Sequence, residues 1–542
     1  MNDPAASPTG APPRHLPTEG AERVGTSLHD LPAPRSRLDR LERLGIIVPT
    51  TLLWVATLGL VYAFLGTDVL RGNRGLVNLT ESFGALERVA LWQRALQWLP
   101  GSTGDGGFFT LAPGAIAYGV RAALVLMYLA HAWSFWLVWK GNQRPFWTWL
   151  VGPIGAHLIL LLMVPSNADV FFYEISGDLA ANGVNPYLHP LVLFPDHPIY
   201  PYNHWVNMST VYGPLWTTIS AGLMRVAGPD PVTATVLYKL VLGAAAIGCA
   251  AVTYRLACVL TGKRSLAVAA GVLVAWQPNM LIESSGQAHN DPVLILLATC
   301  GLALVLVGGI GAIRGAVILV AASAMIKYVT LPLLGFLVLL RLVNRKTKGG
   351  STGILGNWLV DALAIAAVIW GTFVPYWSGI ETLAEMFSEP GRIFTHPLWF
   401  MPSILLENVF SPQVATVYEV VMQVALMLVL LAVLANLVYR FGRAMWSAES
   451  VGDTVENDVA RDWKSTRPLL VAWTGTICAL AFIPANSHPW YWTWPIVPVA
   501  LLVTFDARDE TASERRLPRW FWAYFGATMV LTLVYHTRIV NT

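Results

Sequence analysis

The sequence predicts an all-α polytopic membrane protein, a bundle of about 13 transmembrane helices with juxtamembrane or re-entrant helices in its outer loops. Of the 542 residues, 55% are hydrophobic and only 12% are charged, whereas soluble domains are roughly 25% charged. The mean hydropathy is +0.54. A soluble globule could not bury so much apolar surface and leave so little charge to cover its exterior, so the bilayer is the expected solvent.

The predicted spans are apolar segments long enough, alone or shielded by their neighbours, to cross the bilayer. They are residues 44–66, 115–139, 146–164, 232–260, 265–282, 291–308, 313–327, 329–343, 357–376, 413–438, 468–484, 489–505 and 518–537. The segment before them is rich in Pro, Ser, Gly and charge. That composition predicts a disordered cytoplasmic tail over residues 1–43.

The basic residues predict the orientation, because cytoplasmic loops carry an excess of Lys and Arg. Four arginines precede the first span, and Lys140 and Arg144 follow the second. Residues 165–211 are therefore expected outside. The stretch 212–228 is apolar enough to cross, but crossing would place the basic run 341–348 outside. The charge bias favours the alternative, in which 212–228 lies along the outer face or re-enters.

The stretch 314–340 is a second ambiguity. It could form one span with Lys327 near its middle, which would again place the run 341–348 outside. Two short helices that turn near Lys327 agree better with the charge bias. Lys327 would then lie below the outer surface in a protein-lined cavity.

Charge, cysteine use and motifs exclude several function classes. A net charge of +3 gives no electrostatic support for a nucleic-acid partner. The four cysteines lie in apolar runs without CxxC spacing, which indicates small buried side chains. No P-loop, dinucleotide fingerprint, HExxH or GxSxG motif is present. An enzyme that works outside needs a substrate already activated there, and a lipid-linked donor meets that need.

Asp169 is the strongest candidate for chemistry. It follows Pro165 by four residues, where an apolar helix leaves the membrane. A carboxylate there is partly desolvated, which raises its basicity and suits a general base. Glu174 and Asp178 are four residues apart and share a helix face. For these two, a role as ordinary solvated or capping acids is equally open.

His289, Asn290 and Asp291 form a second group of candidates at the start of a predicted helix. Asp291 has an ordinary explanation as an N-cap before Pro292. His289 and Asn290 could hold a phosphate or a sugar hydroxyl there, since helix N-termini attract anions. Lys327 needs a partner among its apolar neighbours, and a lipid phosphate, Asp169 or Asp291 could provide it.

Three further candidates are expected at the same outer face. Arg392 and His396 belong to one loop and are weaker candidates, because exposed loop charges usually have no special role. His488 begins a Trp- and Tyr-rich run, residues 488–494, which is typical of an interfacial aromatic belt. His488 could still face the cavity.

The order of these motifs resembles that of the GT-C-fold glycosyltransferases. Asp169 at the exit of a span is followed by Gly183-Val-Asn-Pro-Tyr187 and Val211-Tyr-Gly-Pro-Leu215. Residues 286–291, Lys327 and His488-Pro-Trp-Tyr491 resemble further landmarks of that superfamily. The closest likeness is to bacterial polyprenyl-phosphomannose-dependent alpha-mannosyltransferases that build lipomannan, and it covers roughly residues 146–505.

The resemblance implies a GT-C-type bundle that moves a sugar, mannose in the closest relatives, from a polyprenyl-phosphate donor to a glycan or lipoglycan acceptor. It implies inversion at the anomeric carbon, with Asp169 as general base and the other candidates binding donor or acceptor. It places a multi-pass protein in the plasma membrane with its active site outside. Several relatives have two adjacent acids in this loop, whereas Val170 and Phe171 follow Asp169. The sequence therefore identifies no certain cofactor, and it leaves a divalent metal open without supporting one.

The predicted organisation has five parts. Two additional N-terminal helices with an outer loop occupy residues 44–145, after the tail. The catalytic core follows over 146–376 and includes the outer loop 165–231. Residues 377–412 form an outer loop over the active site, and 413–542 form the C-terminal helices.

Other functions remain open. The same fold could transfer another sugar, such as glucose or arabinose, or glycosylate protein. A transporter or flippase for a lipid-linked sugar would need an inverted repeat or polar groups through the spans, and neither is evident. A non-catalytic scaffold in a glycan assembly complex is the third class.

Overall fold

The structure, a computed structural model, describes residues 37–65, 113–142, 144–163, 165, 167–203, 205–308, 312–343, 351–384, 396–449 and 463–541. The chain divides into two units, Met1–Leu44 and Gly45–Thr542, and only the first turns of one helix are described in the former. Throughout these ranges the regular elements are helices, with no strand. The prediction of a helical membrane protein is confirmed. Most of the predicted tail, and Arg392, lie outside the described residues.

The first eight helices lead from the N-terminal spans to the middle of the chain. They are α1 Arg37–Leu65, α2 Pro113–Trp139, α3 Phe146–Leu160, α4 Asp169–Ala181, α5 Pro214–Ala227, α6 Pro231–Thr261, α7 Arg264–Ala275 and α8 Pro278–Leu281. A π-helix, Ile282–Gly286, continues α8. Such segments occur frequently at functional sites.

The remaining nine helices complete the described part of the chain. They are α9 Asp291–Gly308, α10 Ile313–Ala324, α11 Leu331–Val343, α12 Ser351–Phe373, α13 Pro397–Val409, α14 Pro412–Glu449, α15 Trp463–Phe482, α16 Ile496–Asp506 and α17 Arg519–Asn541.

Within the described residues, five helices are long and apolar enough to cross a membrane: α2, α6, α9, α12 and α14. The pair formed by α7 and Pro278–Gly286, bent by 54°, makes a sixth if it is counted as one span. Every predicted span contains a helix, but many of these helices are shorter than the roughly 20 residues that a membrane crossing needs. The predicted total of about 13 crossings is therefore not confirmed.

The two ambiguous stretches contain short helices. α5 has 14 residues, and at 1.5 Å per residue it is about 21 Å long, less than the roughly 30 Å of a bilayer core. That length favours the alternative in which 212–228 does not cross. α10 ends at Ala324 and α11 begins at Leu331, so the chain turns at Lys327.

The core lies where α6 packs on α7 and α9 packs on α10, with α4 on α5 beside them. Trp276 on the C-terminal side of α7 donates a hydrogen bond to the carbonyl of Trp149 in α3. A Cβ at Gly152 would lie only 2.7 Å from the Trp276 ring, so this approach needs glycine. The helices α12 and α14 differ from this core because they are mostly exposed. Only 11% of the most apolar stretch of each is buried, and both present apolar side chains outward.

Candidate active site

A cavity of about 920 Å³ brings together elements from distant parts of the chain. Part of its wall is polar and consists of Asn167, Asp169, Glu283, Gln287, His289, Lys327, Asn486, His488 and His536. Another part is apolar and includes Ile369 and Phe373 of α12 with Leu426 and Leu430 of α14. The cavity can therefore accommodate a ligand with a polar end and an apolar end.

Asp169 is the first residue of α4 and is 8% exposed. Its Oδ1 accepts a hydrogen bond from Trp205 Nε1 at 3.2 Å, and its Oδ2 accepts one from the Tyr212 hydroxyl at 3.0 Å. Asn167 Oδ1 accepts from the Asp169 backbone N–H at 3.1 Å, which fixes the start of the helix. A helix N-terminus also stabilises an anion. The carboxylate is thus held in one orientation on the cavity wall.

His289 is positioned by the π-helix and a strained turn. Ala288 has φ of 60°, a left-handed conformation that is uncommon for a residue with a Cβ. The His289 backbone N–H donates to the Glu283 carbonyl at 2.8 Å and closes the turn. The buried imidazole stacks on Trp490, with ring centroids 3.9 Å apart.

The His289 ring lies between two carboxylates. Its Nδ1 is 2.9 Å from Glu283 Oε2, and its Nε2 is 3.6 Å from Asp169 Oδ2. Because the acids face opposite ring nitrogens, one ion could not be ligated by both acids and the ring. In the part of the chain that is described, no group of three or more His, Cys, Asp or Glu side chains could hold a metal ion.

Lys327 and Asp291 form an ion pair beside the cavity. Lys327 Nζ is 3.2 Å from Asp291 Oδ1, and Trp494 Nε1 donates to the same oxygen at 2.5 Å. The ammonium group also lies 4.9 Å from the centre of the Tyr491 ring. The Asp291 carboxylate, 1% exposed, therefore fixes a cation at the cavity wall.

His488 also lines the cavity. It stacks on the Trp490 ring, with centroids 4.3 Å apart and planes 4° apart. Burial, and then the neighbouring His289 and Lys327, lower the pKa of His488 to about 3. Its imidazole is therefore neutral at pH 7 and can both donate and accept hydrogen bonds.

Glu174 and Asp178 lie farther along α4 and outside the cavity wall. Glu174 is buried and accepts a hydrogen bond from Thr235, and burial raises the pKa of its carboxyl well above the usual value. Asp178 Oδ2 lies 3.2 Å from His197 Nε2. Their predicted binding roles have no counterpart in the geometry of the cavity.

Asn290 and His396 also lie outside the wall. The Asn290 side chain is buried next to His289. His396 caps the start of α13, and its backbone N–H donates to the carbonyl of Ala485, a cavity residue. Burial lowers the pKa of His396 to about 4. With Arg392 not described, the structure brings together Asp169, His289, Asp291, Lys327 and His488 from the predicted set.

The sequence reasoning missed four residues of this site: Trp205, Tyr212, Glu283 and His536. Glu283 had a recognisable pattern, because it is an acid inside a long apolar run, where a charge is costly without a function or a partner. His536 Nε2 lies 3.4 Å from Glu283 Oε1 although 253 positions separate them. No local pattern connects the two.

Two of the family-like motifs hold Tyr212 in place. The Gly213 N–H donates to the Ile326 carbonyl at 3.0 Å, and a Cβ at Gly213 would overlap the Met325 carbonyl. The Tyr187 hydroxyl donates to the Tyr212 carbonyl at 2.9 Å. Gly183 has φ of 80° and allows the turn between α4 and Tyr187. These motif residues therefore contribute to the site by fixing the backbone that positions the Tyr212 side chain.

A family model matches nearly half of the chain. Residues 82–343 match the model of a family described as "Alpha-(1->6)-mannopyranosyltransferase, N-terminal domain". The chain is similar to the alpha-(1->6)-mannopyranosyltransferases. The matched residues of this chain include Asp169, His289 and Lys327. The resemblance inferred from the motifs is confirmed.

Two relatives are both named alpha-(1->6)-mannopyranosyltransferase A. The protein from Corynebacterium glutamicum is 31% identical over 163 residues, which are 29% of this chain and 32% of that protein. The one from Mycobacterium tuberculosis is 26% identical over 382 residues, 68% of this chain and 67% of that protein. The alignment thus spans about a third of the first relative and two thirds of the second. No solved structure matches the chain.

Proposed function

We propose that the protein is an inverting glycosyltransferase that moves mannose from a polyprenyl-phosphate donor to a glycan acceptor at the outer face of the plasma membrane. The observation that supports this most is the shared wall of one cavity. An oriented, largely buried carboxylate, Asp169, and a fixed cation, Lys327, line its polar part. The similarity to alpha-(1->6)-mannopyranosyltransferases supports the sugar.

The chemistry follows from these two groups. An acceptor hydroxyl oxygen attacks the anomeric carbon, and its proton passes to Asp169 as general base. The bond from the anomeric carbon to the phosphate oxygen breaks, and that oxygen keeps the electron pair. Lys327 stabilises the charge that develops on the phosphate. A phosphate is a good leaving group, so the reaction needs no strong general acid.

The apolar part of the cavity wall suits a prenyl chain. It is lined by α12 and α14, the helices that present most of their apolar surface outward. A lipid-linked donor could therefore keep its chain against these helices while its phosphate reaches Lys327. The acceptor, which is polar, would occupy the side near Asp169.

Asp169→Asn tests the base. We expect transfer from polyprenyl-phosphate mannose to fall by about 10²–10⁴-fold, because the amide cannot accept the proton. The measurement is turnover by the purified full-length protein, with glucosyl and arabinosyl donors compared and the product linkage determined by NMR. Asp196→Asn, an exposed acid of the same loop, is the control. Near-normal turnover by Asp169→Asn would remove Asp169 from the mechanism.

Leu430→Trp tests the place of the donor chain. Leu430 is 7% exposed and lines the cavity, whereas its neighbour Val429 is 50% exposed and does not. We expect the added bulk to raise KM for a long-chain donor about tenfold, the equivalent of 1.4 kcal/mol, and to leave a short-chain donor unaffected. Val429→Trp should change neither. Equal effects on both donors would contradict this placement.

A further inference from the structure

We propose that His289 and Glu283 form a relay that takes up, through Asp169, the proton lost by the acceptor hydroxyl. This inference rests on the proposed function of Asp169. Three arrangements of the described residues support it: the position of the imidazole between two carboxylates, the tautomer that its neighbours impose, and the strained turn that holds the ring there.

The neighbours of His289 determine which nitrogen carries the proton. Asn167 Oδ1 accepts from the Asp169 backbone N–H, so the other atom of that amide is the NH₂ group. This Nδ2 lies 3.3 Å from His289 Nε2 and donates to it. Nε2 therefore bears a lone pair, and the ring proton is on Nδ1, 2.9 Å from Glu283 Oε2. The ring faces Asp169 with the nitrogen that can accept a proton.

The proton path is short and balanced. The acceptor O–H bond breaks as the glycosidic bond forms, and the proton moves first to Asp169. It then moves from Oδ2 to His289 Nε2 once the hydrogen bond from Asn167 Nδ2 to Nε2 opens. The two atoms are 3.6 Å apart and need to close to hydrogen-bond distance, as catalytic pairs often do when substrate binds. The result is an imidazolium between two carboxylates, and the proton later leaves to water. Phosphate keeps the electron pair of the broken bond throughout.

A relay that ends on an imidazole binds the proton more tightly than a single carboxylate would. In model peptides, an imidazole binds a proton roughly 400-fold more tightly than an aspartate carboxylate. Glu283 Oε2 lies 2.9 Å from Nδ1, at the other edge of the ring. His536 contacts the other oxygen of Glu283 and restrains that carboxylate. The strained φ of Ala288 indicates that the surroundings enforce this geometry.

The charges around His289 predict how the relay depends on pH. Asp169 faces the ring from α4, and Glu283 faces it from the π-helix. His488 lies on the far face of Trp490, and Lys327, paired with Asp291, stands at the cavity wall. His536 approaches from α17 through Glu283. A ring that is already protonated cannot take up the proton, so activity should fall as pH decreases.

Three variants test the relay in the purified full-length protein with polyprenyl-phosphate mannose. His289→Gln keeps bulk and hydrogen bonding but cannot hold the proton, and we expect kcat about 100-fold lower with little change in KM. Glu283→Gln should lower kcat about tenfold. His289→Ala should be equally inactive and recover at least fivefold in added imidazole. The acid limb of the kcat profile should move to lower pH in both His289 variants, because only the Asp169 carboxylate then has to be ionised and a carboxylate titrates below an imidazole in model peptides.

Matched controls separate the relay from general damage. His157→Gln changes another buried imidazole, which contacts Ser285 of the same π-helix at 2.8 Å but does not line the cavity. Glu419→Gln changes a carboxylate near the start of α14 that accepts from Ser403 and does not line the cavity. Both should retain kcat, and the midpoint of thermal unfolding of every variant is measured alongside.

Several results would overturn the inference. Normal kcat and an unchanged pH profile in His289→Gln would do so, as would a His289→Ala protein that imidazole does not revive. In either case an inactive Asp169→Asn protein would leave the proposed function intact. An active Asp169→Asn protein would instead refute the base itself, whatever the His289 variants show.

Discussion

At the scale of single residues, the ion pair of Lys327 with Asp291 links stability to donor binding. The sequence showed that a lysine in an apolar stretch needs a partner, and it left a lipid phosphate, Asp169 and Asp291 open. In the structure the partner is Asp291, whose carboxylate also accepts from Trp494. The Asp291 carboxylate thus binds side chains from two other parts of the chain, Lys327 and Trp494. Its expected role as a helix N-cap does not account for these two contacts.

Lys327→Met should act in two ways. It leaves the buried Asp291 carboxylate without its cation, which costs about 3–5 kcal/mol, and it removes the proposed phosphate contact. We expect a lower midpoint of thermal unfolding and a weaker response to donor concentration, with acceptor use less affected.

Adding Asp291→Asn to Lys327→Met provides the control. The double variant removes both charges and should regain most of the stability without regaining donor use. If the donor titration also returned to normal, Lys327 would have a structural role only.

At the scale of elements, the site depends on the close approach of two loops. The residues before α5 bond to the backbone that joins α10 and α11: Gly213 N–H to the Ile326 carbonyl, and Leu215 N–H to the Met325 carbonyl. This contact places the Tyr212 ring 5.9 Å from Lys327 Nζ while its hydroxyl reaches Asp169. The motif around Gly213 therefore sets the distance between Asp169, the proposed base, and Lys327.

Gly213→Ala should push these loops apart, because the new Cβ would overlap the Met325 carbonyl. We expect a loss of about 1–3 kcal/mol in stability from overpacking and at least a tenfold loss of turnover. Gly222→Ala on α5 is the control, since nothing lies within 4 Å of its Cβ position. That change should be neutral or stabilise the helix by about 0.5–1 kcal/mol. Equal behaviour of the two variants would contradict the spacer role.

At the scale of the whole molecule, the proposed function requires the loop 165–211 to be outside. The charge distribution supports this orientation, because the loop that contains Arg508, Arg515 and Arg516 is basic and should stay in the cytoplasm. Asp196 lies exposed in the first loop, and the Asp509 side chain is 86% exposed in the second.

Cysteines placed at these two positions, in a protein whose four native cysteines are replaced, test the orientation. We expect a membrane-impermeant maleimide to label Asp196→Cys in intact cells. Asp509→Cys should react only after permeabilisation, because the membrane shields it. The reverse pattern would place Asp169 in the cytosol and end the proposal of an outer active site.

The sequence alone determined what depends on short stretches of chain. An apolar run indicates a membrane helix because the free energy of transfer into the bilayer depends on the residues of that run alone. Asp169 is conspicuous because it directly follows such a run. The helical spacing of Glu174 and Asp178 showed that they share a face, but only tertiary packing decided that the first turn of α4 faces the cavity. The meeting of Glu283 with His289 and His536 was likewise decided by packing. Their encounter depends on how the π-helix is set against α4 and α17, and no periodicity in the sequence encodes that distance.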